Sequence, residues 1–316
     1  MSAMGPEVVT LGESIGLLTQ PAGMPLIRQP TLRLGFGGAE SNVAIGLARL
    51  GRAAHWIGRL GTDEVGALIA RELRAEAVST SIVRDPAPTG LMLKTRQASG
   101  RVQVGYYRAN SAGSRLAPAD LDEDLIAGAR ILHVTGITPA LSASASDAVH
   151  RAVTIAGEHG VTVSFDANFR SRLWDEDRAR PVLSHLLGKS GIFFATAEEA
   201  LLFTGEKDPE RQARAIAALG PGQVVIKLGS AGSVACVDGA VHRQRPRPVA
   251  VVDPVGAGDA FAAGYLSGVL DAADPAECLR IAGLCGARAV TVAGDWEGAP
   301  FAAELDDTGC DTDVVR

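Results

Sequence analysis

Cysteine is scarce and badly spaced for chemistry. Four occur in 316 residues, at 236, 278, 285 and 310, and none belongs to a CxxC pair. That spacing argues against a disulfide framework or a thiolate zinc site and suits structural thiols in a reducing compartment. Cys278 and Cys285 lie two helical turns apart and are expected to share a buried face. The six histidines show no HExxH-like spacing, so no structural transition metal is expected. His133 stands in an apolar strand and reads as a core residue, with no nucleophile near any histidine to suggest a triad. Long apolar runs are missing too. Hydrophobic residues make up 47%, mean hydropathy is +0.15, and no stretch resembles a charge-free membrane span of about 20 residues. No basic segment followed by an apolar core opens the chain, so no signal peptide is read and a cytoplasmic location is expected. Positive charge is not in excess either. Thirty Lys and Arg against 36 Asp and Glu give a net charge of -6, which argues against nucleic acid or membrane partners. A few local arginines can still hold a small anion.

Two nucleotide signatures are also missing. The first apolar run, Val8 to Leu11, is not followed by GxGxxG, which disfavours a Rossmann oxidoreductase. No GK[ST] follows the glycine-rich stretch near the end, so it is not a Walker A loop.

That stretch, VAVVDPVGAGDAFAAG at 249–264, organises the reading. Val249 to Val252 are expected to form a buried strand ended by Asp253-Pro254. Gly256-Ala257-Gly258 then turn the backbone, and Asp259 opens a small-residue helix. Unpaired N–H groups at a helix start attract anions, and glycines let a ligand approach the backbone. A carboxylate there suits a bound phosphate badly unless it removes a proton from an attacking hydroxyl. A helix capped by Asp259 is the competing reading, and local sequence does not separate the two.

The rest of the chain alternates apolar strand, polar turn and helix. Strands are expected at 8–11, 53–58, 131–134, 161–166, 192–195 and 223–227. Helices are expected at 43–50, 63–76, 118–127, 145–159, 177–187, 198–204, 209–219 and 276–293, and a hairpin around Asp238-Gly239. This pattern implies an α/β fold with a mostly parallel sheet covered on both faces. Ligands of such sheets lie beyond the carboxyl ends of the strands, where Glu13, Asn168, Arg170, Thr196, Lys227 and Asp259 stand. Segments 17–35, 89–94 and 102–107 read as short exposed strands of a separate small sheet. Such a sheet gains from coverage by another copy, so a homo-oligomer is expected. Residues 306–316 read as a polar tail.

Other constellations carry two readings each. Gly37 to Asn42 form a glycine turn, with Ser41 or Asn42 as cap or with Asn42 reading a polyhydroxy ligand. Tyr106-Tyr107-Arg108 ends a strand, whose alternation buries one tyrosine and exposes its neighbour. Arg108 and Arg170 are either solvated or matched to a carboxylate, for which the planar guanidinium is suited. Two arginines are excessive for a neutral sugar and sensible for a sugar acid. Glu199 either supports a helix start capped by Thr196 or holds, through water, a magnesium ion. The Lys227–Gly232 segment is a phosphate cradle or a hairpin entry.

GGAESN at 37–42 together with DPVGAGDAFAAG at 253–264 resembles the ribokinase-like, or PfkB, carbohydrate kinases. The resemblance spans about residues 7–305. It implies a ribokinase-like three-layer sandwich: a main domain of 1–13, 37–88 and 113–305, and a β-sheet lid of 14–36 and 89–112. It implies ATP and Mg2+, transfer of the γ-phosphoryl group to a sugar hydroxyl, and Asp259 as general base. The N–H groups of Gly256, Ala257 and Gly258 become the anion hole. Thr196, Lys227, Gly229, Gly232 and Gly258 lie along the nucleotide, Glu199 serves the metal, and Asp253 organises a monovalent-cation loop for K+. YYRANSAGS at 106–114, GITPAL at 136–141, DANFRSRLW at 166–174 and GDWEGAP at 294–300 are similar to the family's keto-deoxy-sugar-acid kinases. That likeness implies that Gly38, Asn42, Tyr107, Arg108, Ile137, Arg170 and Asp295 hold 2-dehydro-3-deoxy-D-gluconate, phosphorylated at its 6-hydroxyl. Other PfkB kinases of fructose, tagatose or related deoxy-sugar acids are the alternative, and a silent sugar-binding regulator a remoter one. Thr196 replaces the usual Asn of N-x-x-E, Arg96 stands where a lid tyrosine approaches the sugar, and Gly283 where an Asn flanks adenine.

Overall fold

The computed structural model describes residues 5–20, 26–96 and 102–305. The polar tail, Cys310 and part of the 89–112 segment lie outside them. Chain order begins β1 (Val8–Leu11), β2 (Ile15–Thr19), β3 (Arg33–Gly37), α1 (Ala39–Arg49), β4 (Ala54–Gly61), α2 (Glu64–Ala75) and β5 (Ser79–Asp85). It continues β6 (Leu91–Arg96), β7 (Val102–Tyr107), α3 (Glu123–Ala127), β8 (Ile131–Thr135), α4 (Ala143–Glu158), β9 (Thr162–Asp166) and α5 (Glu176–Lys189). Then follow β10 (Ile192–Thr196), α6 (Ala197–Thr204), α7 (Pro209–Ala217), β11 (Gln223–Lys227), β12 (Ser233–Val237), β13 (Ala240–Gln244), α8 (Ala257–Leu270) and α9 (Pro275–Ala289).

Nine strands among the described residues form the main sheet, in the order β13-β12-β11-β10-β9-β8-β1-β4-β5. Pairing is parallel from β11 to β5; β12 alone runs against the other strands, pairing antiparallel with both β11 and β13. The strands are apolar on both faces because helices cover both. In β10, Phe193 and Ala195 enter the core beneath α4, α5, α6 and α7, while Ile192 and Phe194 enter the core beneath α1, α8 and α9. Helix α8 is nearly featureless in polarity because it is buried almost all round. Gly264 and Gly268 let it press onto Cys285 and Cys278 of α9, which do share one buried face. The chain leaves β1 for β4 on one side and β8 on the other, so the switch point of the sheet lies at β1. A second sheet, β3-β2-β6-β7, stands over those strand ends.

Three expectations need correction. Residues 249–252 form no strand. Val251 and Val252 are 63% exposed, and the N–H groups of Val252 and Asp253 both donate to the carbonyl oxygen of Val290 (2.8 and 3.2 Å). Prolines at 246, 248 and 254 remove ladder donors, and β13 has already taken the sheet edge. Residues 39–42 are the first turn of α1 rather than a loop. Segment 118–127 is a 3₁₀ turn at Pro118–Asp120 followed by the short α3. Strand β5 was not expected, because its STSIVRD sequence lacks a continuous apolar run.

Candidate active site

At the carboxyl ends of the parallel strands a cleft of about 1330 Å³ lies between the two sheets. That exceeds the usual single-ligand pocket of roughly 300–1,000 Å³ and has room for two small molecules. Its floor is the start of α8. Gly256 is the N-cap with φ 75°, and a Cβ there would overlap the Asp295 carbonyl oxygen, so only glycine serves. The first helical bond runs from Ala260 N to Gly256 O (2.9 Å), which leaves the N–H groups of Ala257 and Gly258 without a helical acceptor. Asp259 is thus in the first turn, three residues after the cap, and does not cap the helix itself.

Asp259 is joined to α1. The Asn42 amide donates to Asp259 Oδ2 at 2.8 Å, and Asn42 Oδ1 accepts from Gly38 N at 3.3 Å. Gly38 must lack a side chain, because a Cβ would overlap the Glu13 carbonyl oxygen. Loss of surrounding water pushes the Asp259 carboxyl up to about 6; the Asn42 hydrogen bond opposes this, Asp166 adds to it, and Lys227 and Arg170 oppose it. Asp295, also on the cleft wall, is raised to about 7 by burial and by the charges of Asp259 and Glu297. Glu40 is fully enclosed and raised to about 7 by burial, although Thr138 and Thr135 each donate to its Oε1 at 2.7 Å.

One end of the cleft is cationic in a compensated way. Lys227 Nζ lies 2.5 Å from Asp166 Oδ2. Burial works against its charge, but Asp166, Glu199 and Asp259 outweigh burial and hold it above its ordinary value. A Cβ on Gly258 would come 3.5 Å from Lys227 Nζ, so this ammonium borders the free N–H turn. Asp166 Oδ1 is buried with no hydrogen-bond partner among the described residues. Thr196 and Glu199 form a capping box: Thr196 N donates to Glu199 Oε2 (2.8 Å) and Glu199 N to Thr196 Oγ1 (3.1 Å). Both still line the cleft, so the structural reading of this pair holds without removing it from the site. Arg170 donates to Asn168 Oδ1 (2.8 Å) and stands 3.7 Å from Glu199 Oε1.

Arg108 reaches the cleft from the end of β7. It pairs with Glu13, whose other oxygen accepts from Ser111, and it lies over the Tyr106 ring at 5.7 Å. Gly38, Asn42, Arg108, Ile137, Arg170, Thr196, Glu199, Lys227, Gly229, Gly256, Gly258, Asp259 and Asp295 therefore border one space. Four expected residues do not, and Ala257 is one of them, although Gly256 and Gly258 on either side of it do. Tyr107 is 67% exposed on the opposite face of β7, and Tyr106 takes its place at the cleft, because side chains alternate along a strand. Gly232 packs against the Gln244 carbonyl of β13, as a hairpin entry requires. Asp253 turns to the second sheet and accepts two hydrogen bonds from Lys94 Nζ (2.8 and 2.6 Å). His133 is the core residue expected: burial, then the nearby Lys227 charge, lower it to about 3, and its Nδ1 bonds Ser164 Oγ at 2.9 Å.

Sequence reading placed Glu13 at a ligand-bearing strand end and missed Glu40, Lys94 and Asp166 as parts of the site. Glu40 alone left a signal, an acid inside a turn of small residues. The others are joined only by long-range contacts.

Known proteins of one family resemble the chain along nearly its whole length. Residues 6–302 match the model of the pfkB family carbohydrate kinases. A 2-dehydro-3-deoxygluconokinase of Bacillus subtilis is 39% identical over 95% of this chain and 94% of its own. One of Thermoproteus tenax is 36% identical, covering 95% and 93%. A 2-dehydro-3-deoxygalactonokinase of Haloferax volcanii is 32% identical, covering 87% of each. Among solved structures, the 2-dehydro-3-deoxygluconokinase of Thermotoga maritima superposes with TM-score 0.88 at 29% identity, covering 95% and 98%. A putative ribokinase II of Escherichia coli in complex with ATP and Mg2+ gives 0.87 at 28% identity, covering 95% and 97%. The fold is the ribokinase-like α/β sandwich, and the chain belongs to the pfkB family of carbohydrate kinases.

Proposed function

We propose that the protein transfers the γ-phosphoryl group of ATP to the 6-hydroxyl of 2-dehydro-3-deoxy-D-gluconate. The observation that carries this reading is one cleft holding Asp259 at a helix start, bonded by Asn42, with Arg108 and Arg170 along its walls. Asp259 accepts the hydroxyl proton while the oxygen–phosphorus bond forms and the bond to the leaving ADP breaks. A base titrating near 6 is ionised at neutral pH yet able to take that proton. The N–H groups of Gly256, Ala257 and Gly258, with Lys227 beside them, meet the charge that develops during transfer. Arg108 and Arg170 address the carboxylate of the sugar acid, Tyr106 and Ile137 flank it, and Gly38, Asn42 and Asp295 address its hydroxyls.

The residues present fit a magnesium-bound polyphosphate. Lys227, the open N–H turn, Gly229, Thr196 and Glu199 converge on one side of the cleft, and Asp166 keeps a buried oxygen unengaged. Glu199 would hold a Mg2+ ion bound with ATP, and the ion would offset charge on the phosphates. The second sheet acts as a lid that excludes water; its Lys94–Asp253 ion pair supports this. Exchanging K+ for Na+ in the assay tests Asp253: indifference favours Lys94 as its resident cation, and dependence favours a K+ loop. Leu34 and Tyr107, exposed on the face opposite Tyr106, suit association of two copies, which analytical sedimentation of the purified protein checks.

The test of the substrate is ADP release across keto-deoxy acids and neutral hexoses, with the phosphorylated position determined. A keto-deoxy acid should be the best acceptor. Equal turnover of its analogue with the carboxylate made neutral would favour a fructose or tagatose kinase instead.

A further inference from the structure

Asp295 borders the cleft from a segment, 291–300, that has neither helix nor strand. Irregular backbone does not fix a carboxylate by itself, so something else must hold it. Asp295 itself packs against Gly37 and Gly256, and the residues that follow it are held by Arg49, the last residue of α1. Its Nη1 donates to the carbonyl oxygens of Trp296 (3.3 Å), Glu297 (3.0 Å) and Ala299 (2.7 Å). Its Nε and Nη2 donate to the two oxygens of Glu76 at 2.7 and 3.1 Å, which orient the guanidinium from behind. The same group lies 5.1 Å from the Trp296 ring centre and 4.8 Å from that of Phe301, and its side chain is only 9% exposed. Trp296 in turn packs against Phe36 of β3 with its ring tilted by 44° and ring centres 5.1 Å apart.

The other end of the same helix carries the Gly38 cap and Asn42, which holds Asp259. Helix α1 is eleven residues long, a rigid rod of roughly 16 Å. One end sets the base and the other end sets the segment bearing Asp295. We infer that Arg49 is a positioning residue for acceptor recognition: it fixes Asp295 against Asn42 and Asp259 at the spacing the sugar hydroxyls require. This rests on the reading of Asp295 as a sugar contact. Only a guanidinium fits, since a lysine ammonium is a point donor that cannot bridge Glu76 and three carbonyls at once.

The test is a double-mutant cycle with Arg49→Lys and Asp295→Asn, read as KM for the best acceptor, KM for ATP, kcat and melting temperature. Arg49→Lys should raise the acceptor KM about 10-fold and leave the ATP KM within about 2-fold. In the Asp295→Asn background the same change should add less than about 2-fold. Equal effects of Arg49→Lys in both backgrounds would overturn the inference, as would parallel rises in both KM values. If Arg49→Lys does not fold, Glu76→Gln loosens the guanidinium from behind and should give the same pattern. Were no acceptor turned over by the wild type, the proposed function would fail on its own. Hydrogen exchange then decides the inference: faster exchange confined to 294–300 in Arg49→Lys supports it, and unchanged exchange overturns it.

Discussion

Asn42 and Asp259, 217 positions apart in sequence, meet at 2.8 Å with the amide donating to the carboxylate. The bond favours the ionised acid, against the loss of water that raises it to about 6. Activity of the wild type should therefore fall as pH drops through about 6. In Asn42→Ala the opposing bond is gone, so the acid limb of kcat against pH should move to higher pH. A limb that stays in place or moves down would show that Asp259 ionisation does not govern it.

Glu40 gives a stability prediction of the opposite kind. Its carboxyl is raised from 4.5 to about 7 in the fold, so the folded state holds a proton that the unfolded chain releases. The sign follows: its contribution is full below about 4.5 and is lost as pH rises through about 7. Glu40→Gln keeps an oxygen for Thr135 and Thr138 and never ionises. It should be more stable than wild type at pH 8, by an order of 1–3 kcal/mol, and nearly equal at pH 5. Urea melts at the two pH values check this, and equal differences at both would refute it.

Arg108 and Glu13 should behave as a pair. Arg108→Met leaves the buried Glu13 carboxylate uncompensated and should cost roughly 3–5 kcal/mol in urea unfolding. Adding Glu13→Gln should recover most of that stability. Sugar-acid binding should not recover, because the guanidinium is still missing. Recovery of both would mean that Arg108 serves the fold alone.

The fold was largely legible because strand and helix periods differ and the parallel strands are apolar on both faces. What misled was Val249 to Val252, where four apolar residues look like a strand although flanking prolines leave too few ladder donors. Strand β5 escaped for the reverse reason: it pairs with β4 through its backbone while its side chains are mostly polar. Within the site, Asp259, Asn42 and the arginines were legible because each sits where an element ends. Tyr107 was chosen over Tyr106 because alternation shows that neighbours differ without showing which one faces inward. The Lys94–Asp253 and Lys227–Asp166 pairs join residues 159 and 61 positions apart, and no local pattern announces either.

Asp259→Asn tests phosphoryl transfer most directly, because it keeps the size of the side chain and removes the base. Acceptor-dependent ADP release should fall by about 10²–10⁴-fold, with the melting temperature and acceptor binding little changed. Turnover within a few-fold of wild type would contradict the assignment of Asp259 as the group that takes the hydroxyl proton.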